Sequence, residues 1–195
     1  MAPRLVLVAH AVTSAVRLSA FPLDEGIEVD QITGPVPLRA VLCRAGPELR
    51  CMQTAQALGW AATADPGLAD LDAGRWNGLG LGDVFTSEPD SMSGWLRDVD
   101  VRPHGGESLS ELIDRVGAVL DGTSWPDGRS LLVTSPLVIR AAVVHLLGTP
   151  RSFLFSVDVG PLSATVLTGH AGRWKLRGLL PWGSWDVADG ARSPL

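Results

Sequence analysis

Tyrosine is missing altogether, although there are seven tryptophans, and lysine occurs once, at Lys175. The imbalance of aromatics has no functional account. Basic residues number 16 against 21 acidic ones, a formal net charge of −5 at pH 7. Nucleic-acid binders need basic patches to meet phosphates. With no Lys/Arg cluster here, no nucleic-acid partner is expected. The only cysteines are Cys43 and Cys51. Two cysteines at that spacing make neither a disulfide framework nor a metal motif, so reduced thiols in a cytoplasmic protein are expected. No His/Asp/Glu/Cys cluster has ligand spacing either, so neither metal nor cofactor is expected. No apolar stretch is long enough to span a membrane, and the apolar run near the N-terminus is too short for a signal peptide's core and cleavage region. Internal repeats and low-complexity blocks are absent.

What is present begins with Leu5-Val6-Leu7-Val8-Ala9-His10-Ala11-Val12-Thr13. A continuous apolar run of this length reads as a strand buried on both faces, as in a parallel sheet. Ligands of open α/β sheets sit beyond the carboxyl ends of strands, which is where His10 falls. Further strands are predicted at Ala40–Cys43, Ala62–Ala64 and Leu131–Thr134. A hairpin is predicted from Ser163–Thr168 and Trp174–Leu179 across His170-Ala171-Gly172. Helices are predicted over Pro47–Leu58, Ser87–Val99, Glu107–Leu120 and Pro136–Leu147, with a short one over Glu25–Ile32 and a loop from His10 to Phe21. Leu109, Leu112, Ile113, Val116, Val119 and Leu120 follow the 3.6-residue period most clearly. Leu68–Gly82 reads as an ordered loop anchored by Leu71 and Trp76. Strand–helix alternation predicts a single α/β domain over 1–195, a three-layer αβα sandwich with a mainly parallel central sheet and a loose tail from Gly183.

Four segments stand out in order: Ala9-His10-Ala11-Val12-Thr13; Leu49-Arg50-Cys51-Met52-Gln53-Thr54-Ala55; Leu68 to Gly78 with its Gly74-Arg75-Trp76-Asn77-Gly78 core; and Gly105-Gly106-Glu107-Ser108 followed by Thr134-Ser135 and Val138-Ile139-Arg140. In this order the set resembles the histidine phosphatase superfamily, the phosphoglycerate-mutase-like proteins. The resemblance runs from about Arg4 to Leu179. It is closest to the small phosphatase branch that includes α-ribazole-5′-phosphate phosphatases. It implies phosphoryl transfer to a histidine and then to water. That chemistry needs a neutral imidazole nucleophile, cationic donors around the equatorial oxygens and a carboxylic acid at the leaving oxygen.

Carried over by position, the resemblance makes His10 the nucleophile, Arg50 the second phosphate-binding arginine and Asp70 the acid in place of the family's glutamate. Thr13 remains as a hydroxyl donor, and Asp72 is the alternative acid. Three phosphate ligands of the family are replaced: its first arginine by Ala9, its asparagine by Val16 and its second histidine by Ser135. A replacement cation is sought in Arg44, Arg17 or His104. The candidate ligand-binding set is therefore Arg50, Thr13, Arg44, Ser135 and His104. Bland roles are expected elsewhere. Trp76 packs, Glu107 favours a helix start, Arg140 binds a carboxylate structurally, His145 is core-edge and His170 is exposed. Three readings stay open: a weak hydrolase of a small phosphorylated metabolite, a ligand- or partner-binding protein without turnover, and an acid–base enzyme on a non-phosphate substrate. The charge of the cavity at His10 separates them. The residues that choose the ligand are expected in Gly80–Pro103.

Overall fold

The computed structural model describes residues 2–28, 32–170 and 172–185. In chain order the elements are β1 (Pro3–Ala9), α1 (Ser14–Leu18), β2 (Leu42–Ala45), α2 (Leu49–Ala57), β3 (Thr63–Ala64), α3 (Leu81–Ser87), α4 (Pro89–Arg97), α5 (Leu109–Gly122), β4 (Gly128–Thr134), α6 (Pro136–Leu147), β5 (Ala164–His170) and β6 (Arg173–Leu180). The six strands form one sheet in the order β3-β2-β4-β1-β5-β6. The first four are mutually parallel, β5 runs antiparallel to β1, and β6 runs antiparallel to β5.

β1 is central, and its alternation builds both cores. Leu5, Leu7 and Ala9 join the cluster made with α3, α4, α5 and α6. Val6 and Val8 turn to the opposite face, against α2, Trp60 and Trp185. All five side chains are fully buried, which is why the run carries no polar residue. The layers are those of an αβα sandwich, as the sequence pattern predicts.

Several local expectations need correction. The segment from His10 to Phe21 holds a helix, α1, with Thr13 as its N-cap. The predicted helix over Glu25–Ile32 is absent from residues 25–28, and residues 29–31 lie outside those described. Its backbone donors are used at long range instead. The Ile27 amide donates to Gln53 Oε1 at 2.9 Å and the Glu28 amide to the Val12 carbonyl at 2.9 Å. The predicted Ser87–Val99 helix is α4, opened by Pro89, and a further helix, α3, precedes it where none is predicted. The second strand begins and ends two residues later than predicted, so Arg44 lies inside β2. The start of the supposedly loose tail is docked. Trp185 is buried, and its Nε1 donates to the Leu162 carbonyl at 2.9 Å. Residues 186–195 lie outside those described.

Two sequence motifs prove to be one structural joint. The Gly74 and Gly106 backbones pack against each other's loops so closely that a Cβ on Gly106 would meet the Asp72 carbonyl oxygen at 2.0 Å. A Cβ on Gly74, whose φ is +50°, would meet the His104 carbonyl oxygen at 2.3 Å. Hydrogen bonds from Arg75 N to His104 O (3.0 Å) and from Glu107 N to Asp72 O (2.8 Å) close the joint. Gly106→Ala should therefore cost at least about 2 kcal/mol, since backbone rather than a side chain must move. Gly94→Ala, inside α4 with open space around its Cβ, should gain about 0.5–1 kcal/mol. Urea unfolding of the two variants beside the parent checks the pair, and similar effects in both would refute the joint.

Candidate active site

The carboxyl ends of β1 and β4 meet at the site. His10 N donates to the Thr134 carbonyl at 3.0 Å, which brings His10 and Ser135 side by side. The loop after β1 is held by α2: Ala11 N donates to Thr54 Oγ1 at 3.0 Å, and that hydroxyl donates to the Arg50 carbonyl at 2.7 Å. The Arg-x-x-Gln-Thr-Ala spacing thus places three anchors on one helix: Arg50 toward the site, Gln53 toward Ile27, Thr54 toward Ala11.

His10 is buried, 4% exposed. Its Nδ1 lies 2.8 Å from the Ala11 carbonyl oxygen, an acceptor only, so Nδ1 carries the proton and donates it. Burial chiefly, with Arg50 adding to it, holds the ring's pKa below 6.5 against the opposing pull of the Ala11 hydrogen bond, Asp70 and Glu25. At neutral pH the ring is uncharged, and Nε2 keeps its lone pair.

Asp70 is the hub of the polar groups. Oδ2 accepts from Arg50 Nη2 at 2.8 Å. Oδ1 accepts from Ser135 Oγ at 2.6 Å and from Leu71 N at 2.8 Å. Arg50 Nη1 donates to the Leu23 carbonyl at 3.0 Å. The Asp70 backbone is braced as well. Its amide donates to Glu48 Oε1 at 2.7 Å, and Arg115 of α5 donates to the carbonyls of Gly67, Ala69 and Asp70. Glu107 holds Arg115 through both carboxylate oxygens, at 2.8 and 2.7 Å. Glu107 therefore acts through this ion pair. The helix start falls to Ser108 and Glu111, which form a reciprocal capping box.

A cavity of about 390 Å³ opens at this point. His10, Thr13, Asp70 and Ser135 line it, with Arg140 as its charged basic residue. The rest of the wall is largely apolar: Val16, Phe21, Leu71, Leu81, Met92, Trp95, Leu96, Leu137 and Phe155 among others. The expected set is thus partly assembled. His10, Thr13, Asp70 and Ser135 share the cavity, with Arg50 directly behind Asp70.

Arg44 does not reach the cavity. Its position inside β2 aims it at Asp65 Oδ2 (3.1 Å) and Thr123 Oγ1 (3.3 Å). His104 is 2% exposed and packed behind the wall, its ring centroid 5.0 Å from that of Trp76 (tilted) and 6.4 Å from that of Trp95 (edge to face). Arg17 pairs with Glu28 at the surface. Asp72 pins its own loop through the Gly74 amide at 2.9 Å. Trp76 is fully buried. His145 is half-buried and meets Asp121 at 3.0 Å, and His170 is exposed. Both cysteines are free. Burial pushes the Cys43 thiol up to about 11, and burial with Glu48 beside it raises Cys51 well above its ordinary value. Among the described residues no group of His, Cys, Asp or Glu is arranged to hold a metal ion, and no helix is long and apolar enough to cross a membrane.

Arg140, expected to bind a carboxylate structurally, makes no ion pair among the described residues and lines the cavity instead. Pro136, Leu137 and Arg140 stand at helical positions i, i+1 and i+4 just after β4, and that spacing is the signal that places them on one wall.

Residues 30–180 match the histidine phosphatase superfamily (branch 1). The chain belongs to this superfamily. A mycobacterial glucosyl-3-phosphoglycerate phosphatase, solved in complex with VO3, superposes with a TM-score of 0.74 at 25% identity, over 90% of this chain and 97% of that one. The alpha-ribazole phosphatase of Shigella flexneri gives 0.77 at 18% identity, over 91% and 96%; at that identity the likeness is one of fold. Among curated proteins, a bifunctional protein of Mycobacterium tuberculosis is 34% identical over 62 residues, which is 32% of this chain and 17% of that protein. The match therefore spans less than a fifth of that relative's length.

Both buried imidazoles resist protonation. Burial lowers His104 as it does His10, with Asp72 raising and Arg75 lowering its pKa. The unfolded chain takes up these protons as pH falls through about 6.5, and the folded chain does not. Stability is therefore full above 6.5 and is lost as pH falls toward the folded values. Denaturant unfolding should show stability falling between pH 7.5 and 5.5, by at most about 1.4 kcal/mol per imidazole, and His104→Phe should make the fall shallower. Stability that stays flat, or that increases as pH falls, would contradict the assignment.

Proposed function

We propose that this chain is a slow phosphomonoester hydrolase of a small metabolite, with His10 as the nucleophile. The reading is carried by the His10 ring: Nδ1 committed to the Ala11 carbonyl at 2.8 Å, a depressed pKa, and a place in the cavity wall. The Nε2 lone pair forms a bond to phosphorus while the phosphorus–oxygen bond to the organic group breaks. Water then attacks phosphorus, the nitrogen–phosphorus bond breaks, and its electron pair returns to Nε2 as phosphate leaves. Thr13 supplies a hydroxyl at the same wall.

The reaction is slow because donors are missing. Each preorganised donor removed costs roughly 10²–10³ in rate, short of multiplicatively when the groups act together. Asp70, in the acid's position, already accepts three hydrogen bonds. The leaving oxygen then draws its proton from water unless the Arg50 pair opens, and good leaving groups are favoured.

A second reading has its own observation. Arg50, the phosphate anchor, is neutralised by Asp70 at 2.8 Å before any ligand arrives. On this reading the cavity binds its ligand intact, for a partner or a signal.

Phosphate release separates the two. The hydrolase should release phosphate from p-nitrophenyl phosphate at least about 100-fold faster than from alkyl phosphates of similar size, and His10→Ala should abolish both. No release above background in either protein, with saturable binding of the same esters, would favour the second reading.

A further inference from the structure

The cavity is built for more than a phosphate group. Its volume of about 390 Å³ falls in the range of roughly 300–1,000 Å³ typical of sites that enclose whole small molecules. Phe21, Met92, Trp95, Leu96 and Phe155 give it an apolar, aromatic-rich side away from Asp70. Phe21 and Trp95 stand edge to face at 5.9 Å, and Trp95 and Phe155 at 5.6 Å. Such walls take flat apolar groups by offset or edge contacts.

The polar groups in and behind this wall have a common character. Arg140 makes no hydrogen bond and no ion pair among the described residues, and its buried Nε lacks a partner. Asp158 acts on it only at longer range, and burial outweighs that pull, so its pKa is lowered. Trp95 is 5% exposed, and its Nε1 has no acceptor. Behind Trp95, the His104 Nδ1 accepts from the Gly106 amide at 3.1 Å, so the neutral ring carries its proton on Nε2, which also lacks a partner. All three orphans are donors. Buried donors are ordinarily paired, and of the three only Arg140 brings a positive charge to the cavity wall, so the acceptor oxygens of a ligand belong there.

Arg140 also stands where a cation is missing. Ala9 and Ser135 supply no positive charge, Arg50 is spent on Asp70, and Arg44 is spent on Asp65. Resting on the reading of the site as a phosphate-ester site, we infer that Arg140 is its phosphate-binding cation and that the ester carries an apolar, aromatic-sized body held among Phe21, Trp95 and Phe155. Specificity then comes from charge at one end and apolar area at the other. A polar sugar phosphate of equal charge leaves the aromatic wall uncovered.

Phosphonates test this without turnover, because the carbon–phosphorus bond is not hydrolysed. Calorimetric titration of the full chain with 1-naphthylmethylphosphonate should give at least tenfold tighter binding than 2-hydroxyethylphosphonate. Arg140→Met should weaken the aryl phosphonate at least tenfold and leave neutral 1-naphthylmethanol within twofold. Equal affinity of the two phosphonates, binding of neither, or an unaltered Arg140→Met variant would overturn the inference. Should that variant fail to fold, ionic strength provides the charge arm in the parent protein: raising salt must weaken the aryl phosphonate and not naphthylmethanol, and the reverse overturns it. Tight binding of the aryl phosphonate by a protein that releases no phosphate from any ester would sustain this inference while defeating the hydrolase reading.

Discussion

The Arg50–Asp70 pair is the interaction on which the site depends. Its side chains are 3% and 15% exposed, so neither charge is well solvated. A pair this deep is held less by Coulomb attraction than by the completeness of its hydrogen bonding, since desolvation cancels much of the attraction. Here the completion is visible. Ser135 and the Leu71 amide take the free face of Asp70, and the Leu23 carbonyl takes Arg50. Four separated stretches of chain therefore converge on this ion pair: the segment between α1 and β2, α2, the Leu68–Gly78 loop and the N-cap of α6. Removing one partner strands the other, with a typical cost of about 3–5 kcal/mol. The same saturation that stabilises the corner takes its cation away from a ligand.

Around that corner, bracing is layered. Arg115 gathers the carbonyls of residues 67, 69 and 70 and is itself gripped by Glu107. Glu107 follows Gly106, whose bare backbone lies against the Asp72 loop. From Gly106 onward the Gly-Gly-Glu-Ser turn thus has a physical account. One glycine allows contact, the next residue holds an arginine, and the serine caps α5. This turn fixes the Asp70 carboxylate from a distance.

Much of this was legible in the residues. β1 announces itself because both of its faces are buried. α5 and α6 announce themselves through apolar periodicity and, for α6, a proline start and Gly148 stop. His10, Thr13, Asp70 and Ser135 gather in one cavity because each sits at a strand end or in a motif loop, where position along the chain nearly determines position in space. Arg44 misled because a side chain inside a strand points by register, and a shift of two residues at β2 decides what it meets. His104 misled because a turn residue in an aromatic nest is buried like a core residue. α1 and α3 escape because five and seven residues carry no readable period.

The direction of β5 has one more consequence. Because β5 runs against β1, the chain arrives beside His10 by the connection after α6 rather than leaving there, and that connection carries Phe155. The opposite wall, from α3 and α4, is likewise outside the sheet. The reacting end of the cavity is thus cast in the hydrogen-bonded lattice of the strands, while the reading end is upholstery. Its fabric can be exchanged in evolution, or at the bench, without touching the frame.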